Sequence, residues 1–408
     1  MNCIRTIQAI FLALLLPALT VAESAASGRD KSDPMAVVDG NTAFAFRLYS
    51  ELRSGEDNLF FSPFSISTAL AMVYGGARGE TAAQMAAVMS FSKDQKSFHK
   101  NFAGLGEMLD RVQKVGKVKL STANAIWAQQ DYPFLKDYVK LTEEFYKAGL
   151  RREDFRTAAE AARGRINRWV EEQTADKIKN LIGPGILMPD TKMVLVNAIY
   201  FKGDWKEQFK KDQTKDEPFR PLSGDPIDVP MMKQTRHFAY TGTDDLQILE
   251  LPYAGEDLSM IILLPKEDAG LPGLEAALTP ELLSEGIAKL APITVALSFP
   301  RFSMTTEFGL AKKLAAMGMP DAFSDRADFS GMSARGDLFI DAVLHKAFVD
   351  VNEEGTEAAA ATAVTMRMAT AMPERPIIFR ADHPFIFMIR EKGSGSILFM
   401  GRFMKPGP

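Results

Sequence analysis

The sequence predicts an α+β fold. Helical patterns dominate the first half of the 408 residues, strand patterns dominate the second half, and the two do not alternate regularly as they would in a doubly wound parallel sheet. The composition, 46% hydrophobic and 25% charged, is that of a globular protein and excludes a disordered, collagen-like or coiled-coil chain. Length alone suggests two or three domains, but without a repeat or a long linker we expect one domain over residues 35–408.

The helical signals begin with apolar residues that share one helical face, namely Phe44, Ala45, Leu48 and Leu52. Ser62 and Pro63 then supply an N-cap and a first-turn proline for an apolar helix that two glycines end. Thr81 followed by Gln84 has the spacing of a capping box and predicts another short helix. An amphipathic segment over residues 158–173 predicts a longer one.

The strand signals follow. Residues 193–201 form an almost continuous apolar run, which predicts a strand buried on both faces with Asn197 as its strongly polar member. Residues 248–251 and 258–264 flank a short turn and predict a hairpin. Alternation over residues 293–299 predicts a strand with one apolar face.

The charge balance limits the partners of the protein. Its 48 Lys and Arg against 52 Asp and Glu give a net charge of −4, without a block of like charges. A surface for nucleic acid or for an anionic membrane would need such a basic block. We therefore expect neither nucleic acid nor membrane as a partner.

The N-terminus predicts a secretory signal over residues 1–22, because one positive charge precedes a short aliphatic run and small residues lead up to Glu23. The apolar run contains Pro17 and is short for a membrane span, so an uncleaved anchor is the less favoured alternative. Residues 23–34 are small and polar, as in a flexible lead-in. The protein is expected to be secreted, into the extracellular space or into the periplasm of a Gram-negative bacterium.

Motifs for catalysis and metal binding are missing from the sequence. Cys3, the one cysteine, lies in the predicted signal, so the mature chain has no disulfide, thiol nucleophile or thiolate ligand. The four histidines are dispersed, and Ser90 and Lys93 match a catalytic S-x-x-K pattern without its companion motifs. No nucleophile elbow, P-loop or dinucleotide fingerprint occurs. We therefore expect no enzymatic activity, no metal and no cofactor.

Residues 350–376 conflict with their surroundings. Their Ala-rich centre has high helix propensity, yet it lies between two runs that predict strands. With a period of two, Glu357 and Arg367 fall on one face, and the other face carries Thr356, Ala358, Ala360, Thr362, Val364, Met366 and Met368. The segment can therefore be a solvated loop and can also become a half-buried strand without burying a charge. The alternative is an exposed Ala-rich linker.

This segment resembles the hinge of the reactive-centre loop in the serpin family of serine protease inhibitors, of the ovalbumin type (clade B). The hinge-like residues are Glu353, Glu354, Gly355, Thr356, Glu357, Ala358, Ala359, Ala360, Ala361 and Thr362. Further serpin-like motifs occupy residues 58–67, 195–205, 381–385 and 399–403. The resemblance extends from about residue 40 to 406 and covers nearly the whole mature chain.

The resemblance implies a serpin fold with about nine helices and three β-sheets. The reactive-centre loop, about residues 353–376, is expected to be exposed at one end of the molecule. Ser62, Ser65, Asn197 and His345 correspond to a polar cluster beneath the main sheet, where the strands part to admit the loop. Alternatively, these residues have only structural roles: Ser62 as a helix cap, Asn197 as a hydrogen-bond partner at a strand end and His345 as a buried histidine with its hydrogen bonds satisfied.

The resemblance also implies the mechanism of inhibition. A serine protease attacks the loop and forms an acyl-enzyme, and the freed segment inserts into the main sheet as a new strand near Trp205. Residues 355–369 would span roughly 50 Å at about 3.3 Å per residue, enough to carry the protease across the domain. Insertion must outrun deacylation, and the small hinge residues favour this because they offer little steric resistance.

The cleaved bond follows from the family spacing. Sixteen residues on from Glu353, it falls at Ala369–Thr370, and a small Ala369 suits the shallow pocket of elastase-like proteases. The alternatives are Met368–Ala369, for chymotrypsin-like or cathepsin G-like enzymes, and Arg367–Met368, for trypsin-like ones. Papain-like cysteine proteases are further candidate targets, and the inhibitor is expected to be a monomer. The competing class is a non-inhibitory serpin that acts as a carrier, chaperone or storage protein.

Overall fold

The computed structural model describes residues 34–115, 118–147, 150–356 and 375–407. Within these ranges it has nine α-helices and fifteen β-strands, and the strands form two sheets. The predicted signal, residues 1–22, lies outside the described residues, and Pro34, the last residue of the predicted lead-in, is the first residue of a helix. None of the helices in the described ranges has the length and apolarity needed to cross a membrane.

The helices are α1 (Pro34–Leu52), α2 (Pro63–Tyr74), α3 (Gly79–Met89), α4 (Gln95–Val115), α5 (Lys136–Tyr146), α6 (Phe155–Gln173), α7 (Leu271–Ala277), α8 (Pro280–Ala288) and α9 (Ala311–Ala316). Six of them precede residue 174, as the early helical patterns predict. The apolar stripe of α1 is confirmed, because all four of its predicted members are buried.

The two predicted helix starts had different outcomes. Ser62 is confirmed as the N-cap of α2: its Oγ accepts a hydrogen bond from Ser65 N at 3.1 Å, and Pro63 occupies the first turn. The capping box at Thr81 is wrong. The helix begins two residues earlier, at Gly79, and Thr81 Oγ1 accepts a hydrogen bond from Asp328 N at 2.9 Å. Thr81 therefore lies inside the helix, and its hydroxyl makes a tertiary contact in place of a cap.

A six-stranded sheet, here called the main sheet, contains β2 (Val118–Gln129), β3 (Arg151–Glu153), β4 (Met193–Asp204), β10 (Phe302–Gly309), β11 (Ala342–Val351) and β12 (Gly355–Thr356). Its order is β10-β11-β12-β4-β2-β3. The strands β11 and β4 also pair directly and in parallel over seven residues, from Ala342 opposite Val194 to Phe348 opposite Tyr200. Beyond that stretch the two-residue β12 lies between them, antiparallel to both.

A nine-stranded sheet contains β1 (Leu59–Phe61), β5 (Lys215–Phe219), β6 (Ile227–Gly242), β7 (Leu246–Pro252), β8 (Leu258–Pro265), β9 (Ala291–Pro300), β13 (Ile377–Arg380), β14 (Phe385–Glu391) and β15 (Ile397–Phe403). The predicted hairpin is confirmed as β7 and β8, which pair antiparallel. The resemblance implies three sheets in all. Here hydrogen bonds join two of them, because the 16-residue β6 pairs with β5 and β9 along most of its length and with β7 at its end.

The core between the sheets positions the candidate site. Helix α2 packs against β2 and β4 of the main sheet and against β15 of the other sheet. Its apolar residues Ile66, Leu70 and Val73 are fully buried, and each such side chain contributes about 1.5–3 kcal/mol. The first turn of α2, with Ser62 and Ser65, is thereby held directly beneath the main sheet.

Candidate functional site

The polar residues that the sequence predicts beneath the main sheet lie in contact with one another. Asn197 on β4 is opposite His345 on β11, and His345 Nδ1 donates a hydrogen bond to Asn197 Oδ1. Ser62 N donates to His345 Nε2 at 3.2 Å, and Asn197 Nδ2 donates to the Ser65 carbonyl oxygen at 2.8 Å. All four residues are fully buried. The cluster therefore bridges β4, β11 and the start of α2.

His345 is neutral in this cluster. Burial lowers the pKa of its imidazole to about 3, because the interior does not solvate an imidazolium. Nε2 accepts the bond from Ser62 N, so the single ring proton is on Nδ1 and points at Asn197. A neutral hydrogen-bonded group can exchange partners without the cost of moving a buried charge.

Asn124 completes the cluster, although the resemblance does not indicate it. It lies on β2 opposite Asn197, and its Oδ1 accepts hydrogen bonds from Ser65 Oγ, at 3.0 Å, and from Asn197 Nδ2. Its sequence signal is weak, an amide side chain that directly precedes the apolar residues 125–128. Three strands of the main sheet thus share one polar network.

The hinge begins as a tight turn at the end of β11. Asn352 Oδ1 accepts hydrogen bonds from the backbone N–H groups of Glu354, at 3.0 Å, and Gly355, at 3.2 Å. Asn352 N donates in return to the Gly355 carbonyl oxygen at 2.8 Å. The turn reverses the chain, so that Gly355 and Thr356 run back between β11 and β4.

The two residues of β12 occupy a closely packed slot. A Cβ atom on Gly355 would lie 2.1 Å from the Gly203 carbonyl oxygen on β4, so only glycine fits there. Thr356 is fully buried, and its Oγ1 lies 3.0 Å from Tyr253 Oη. The one side chain of β12 thus points into the protein.

Trp205 lies against this turn. Its indole stacks on the ring of Tyr253, with centroids 4.6 Å apart, and its Nε1 donates to the Asn352 carbonyl oxygen at 3.0 Å. Its backbone N donates to the Glu354 carbonyl oxygen at 2.9 Å. Burial raises the pKa of Tyr253, so the phenol stays protonated and can donate to Thr356. Tyr253 is not among the residues that the sequence predicts for the site.

Two ion pairs hold the acidic residues of the turn. Glu353 is only 4% exposed, accepts a hydrogen bond from Thr214 Oγ1 at 2.8 Å, and lies 3.5 Å from Arg301 Nη1. Glu354 pairs with Lys211 at 2.5 Å, and this hydrogen bond raises the pKa of the lysine. No motif in the sequence points to Thr214, Arg301 or Lys211 as hinge contacts.

The remaining predicted site residues lie outside the described residues. These are the rest of the hinge, Glu357, Ala358, Ala359, Ala360, Ala361 and Thr362, and the residues around the predicted cleaved bond, Arg367, Met368, Ala369 and Thr370. Their roles stay predictions.

One set of side chains in the described ranges has metal-ligand geometry, but protein partners already engage it. Asp268, Asp382 and His383 lie close enough to share an ion. Arg220 pairs with Asp268 at 2.6 Å and with Asp382 at 2.9 Å, and His383 Nε2 lies 2.7 Å from the Pro265 carbonyl oxygen, to which it donates. We assign these residues a structural role.

The comparisons with known proteins agree with this architecture. A family model described as "Serpin (serine protease inhibitor)" matches residues 39–406. The leukocyte elastase inhibitor of Bos taurus is 46% identical over 376 residues, which cover 90% of this chain and 98% of that protein. A serpin-like protein of Thermococcus kodakarensis is 44% identical over 372 residues, 91% of this chain and 86% of the relative.

A solved structure shows the same fold. Uncleaved ovalbumin is similar with a TM-score of 0.81 and 34% identity, over 91% of this chain and 100% of ovalbumin. The predicted α+β serpin fold and the resemblance to the ovalbumin-type members are both confirmed by these matches. The chain therefore belongs to the serpin family of serine protease inhibitors.

Proposed function

We propose that this protein inhibits elastase-like serine proteases as a suicide substrate, with Ala369–Thr370 as the cleaved bond. The observation that carries the proposal is the position of Gly355 and Thr356, which already form a short strand between the ends of β4 and β11. After cleavage, the residues that follow can extend this strand along the direction it has already taken. The leukocyte elastase inhibitor among the relatives supports an elastase-like target.

Strand geometry supplies the driving force for insertion. Over seven residues β4 and β11 now pair in parallel with each other, whereas β12 is antiparallel to both. Extension of β12 would replace one parallel pairing with two antiparallel ones, which are slightly more stable per residue. Each added backbone hydrogen bond contributes about 0.5–1.5 kcal/mol. The contact between Asn197 and His345 must break for the strands to part, so we propose the polar cluster as the point where insertion is controlled.

The side chains of the hinge fit this role. Because Thr356 points into the protein, Ala358, Ala360 and Thr362 would follow on the same inward face with a period of two. All are small, so each can enter the sheet quickly. Fast entry matters because the acyl bond to the protease must survive until insertion is complete.

The protein would be consumed with its target and would not act as an enzyme. Alternative targets are chymotrypsin-like or cathepsin G-like proteases, which would cut the loop after Met368, and trypsin-like proteases, which would cut it after Arg367. Papain-like cysteine proteases are further candidate targets. We further propose that residues 1–22 direct secretion, to the extracellular space or a periplasm, and that the inhibitor acts as a monomer without a cofactor. The hinge composition favours inhibition over a carrier, chaperone or storage role.

The test is to mix the full mature chain with elastase, chymotrypsin and trypsin and to separate the products on a denaturing gel. We expect a covalent complex with elastase and a cleaved inhibitor that resists heat better than the intact one. Thr356→Arg should abolish the complex while cleavage persists, because an arginine does not fit the buried position from which the strand must extend. Thr305→Arg, at an exposed position of β10 in the same sheet, is the matched control and should still trap elastase. Cleavage by all three proteases without any complex would instead indicate a non-inhibitory serpin.

A further inference from the structure

A cleft away from the main sheet has a lining that the trapping mechanism does not use. It lies between α7, α8 and the tip of the β6–β7 hairpin and has a volume of about 810 Å³. Its inner wall is apolar and includes Leu246, Ile248, Leu274 and Leu282. A Cβ atom on Gly286 would lie 2.4 Å from Ile248 Cδ1, so the helix α8 closes directly onto β7 at the floor of the cleft. None of the lining residues belongs to the polar cluster or the hinge.

The rim of this cleft is acidic. Asp245 comes from the hairpin tip, Glu267 from the connection between β8 and α7, and Glu281 and Glu285 from α8. Among the described lining residues Lys289 is the one cation, and it pairs with Glu285 at 4.0 Å. Four carboxylates against one ammonium leave a formal charge of −3 at the rim.

The origin of these acids argues against a purely local cause. Glu281 lies in the first turn of α8, where it stabilises the helix dipole. The dipole does not explain acids on the hairpin tip and on the connection before α7. Three separate elements, the hairpin tip, the connection before α7 and the helix α8, therefore bring negative charge to the opening of one apolar cavity.

We propose that this cleft binds a small organic cation with an apolar body and an amine or ammonium head group. The apolar body would be buried against the leucines of the inner wall, and the cationic group would face the carboxylates of the rim. The volume lies within the range of about 300–1,000 Å³ of small-molecule pockets. The rim charges are exposed, so binding should weaken as salt screens them.

The probe is decyltrimethylammonium, compared with decyl sulfate, both below their micelle concentrations and titrated calorimetrically into the full mature chain. The two share one alkyl chain and differ in the sign of the head group. We expect the cation to bind at least about tenfold more tightly than the anion, and to lose affinity as the salt concentration rises. Equal affinity for the two probes would overturn the proposal.

Two variants locate the site. Gly273 lines the cleft within α7, and a Cβ atom there would meet no atom within 4 Å, so Gly273→Leu adds a large apolar side chain at the wall of the cleft. We expect it to weaken binding of the cation at least about tenfold. Gly164→Leu, also at an unobstructed helical glycine but on α6, is the matched control and should bind as the wild type does. If Gly273→Leu retains full affinity, the cation is bound elsewhere and the proposal fails.

A charge variant tests the rim. Glu281→Gln combined with Glu285→Gln should lower affinity for the cation several-fold and flatten its salt dependence. Glu143→Gln combined with Glu144→Gln removes two exposed carboxylates from α5 and should change neither. Equal losses in both double variants would show only an effect of net charge and would overturn the assignment to this rim. Inhibition of elastase is expected to persist in every variant, which checks that the protein is folded.

Discussion

The hydroxyl oxygens of Tyr253 and Thr356 lie 3.0 Å apart, and both residues are fully buried. Tyr253 follows β7 of the nine-stranded sheet and stacks on Trp205, which in turn is hydrogen-bonded to the hinge turn. One hydrogen bond therefore ties the side chain of β12 to a residue that follows the nine-stranded sheet.

Tyr253→Phe is expected to loosen the hinge. The change leaves the Thr356 hydroxyl buried without its partner, which should destabilise the protein by about 1–3 kcal/mol. The measurement is the midpoint of urea unfolding, followed by the fluorescence of Trp205 and the two other tryptophans. Adding Thr356→Val removes the unpaired hydroxyl and should recover most of the loss. Strictly additive losses in the double variant would contradict a direct bond between the two residues.

Glu353→Lys is expected to drive the hinge out of the sheet. It replaces an almost fully buried carboxylate with an ammonium that faces the half-exposed Arg301 and cannot accept the hydrogen bond from Thr214. Leaving a buried polar group without its partner costs about 1–3 kcal/mol, and more for a charged group. The urea concentration at the midpoint of unfolding should fall, and the hinge should become sensitive to proteases. Glu354→Lys is the control, because its partner Lys211 is mostly exposed and such pairs contribute at most about 1 kcal/mol. An equal loss in both variants would rule out a special role for Glu353.

Ala369→Arg is expected to redirect the inhibitor. An arginine cannot enter a shallow primary pocket but fits one that carries a buried aspartate, so complex formation should shift from elastase to trypsin. We expect changes of at least about 100-fold in the association rate constants with the two proteases, in opposite directions. Mass spectrometry of the peptide released from the wild type locates the bond. A peptide that begins at Met368 or Ala369 would favour one of the alternative bonds over Ala369–Thr370.

Acid is expected to destabilise the native state through two buried histidines. Burial lowers the pKa of His99 to about 4 and that of His345 to about 3, from 6.5. Above about pH 6.5 both histidines are neutral in the folded and in the unfolded protein, so they cause no pH dependence of the stability. Below about pH 6.5 these histidines bind protons in the unfolded chain but stay neutral in the native state. The free energy of unfolding therefore falls by about 1.4 kcal/mol per pH unit for each histidine.

The pH dependence can be measured from the free energy of urea unfolding between pH 6.5 and 4.5. His99→Gln should remove about half of the slope, since one of the two histidines with a lowered pKa is lost. A slope that His99→Gln leaves unchanged would show that other groups cause the acid sensitivity.

Local signals predict the elements whose causes are local. Ser62 caps α2 because its hydroxyl reaches a backbone N–H three residues on, and the hairpin of β7 and β8 forms around a short turn. The cap predicted at Thr81 fails because α3 begins two residues earlier, and the Thr81 hydroxyl there accepts a hydrogen bond from Asp328 N, 247 residues away. No pattern in one strand states which partner it will pair with, so the joining of two expected sheets through β6 could not be predicted.

The same limit applies to the site. The hinge residues Glu353 to Thr356 were recognisable as a contiguous motif, but their contacts come from distant parts of the chain. Tyr253 lies 103 residues from Thr356, and Thr214 lies 139 residues from Glu353. Tyrosine and threonine occur in many structural settings, so the residue type of Tyr253 or Thr214 does not by itself predict a contact with the hinge.

The sequence by itself determined the α+β class, the start of α2 and the main strand runs, because each depends on side-chain spacing within one segment. Only the tertiary structure decided that Gly355 and Thr356 lie between the ends of β4 and β11 while the rest of those strands pair with each other. Backbone N–H and C=O groups are nearly the same in every residue, so the packing of the whole molecule selects which strands pair and where they part.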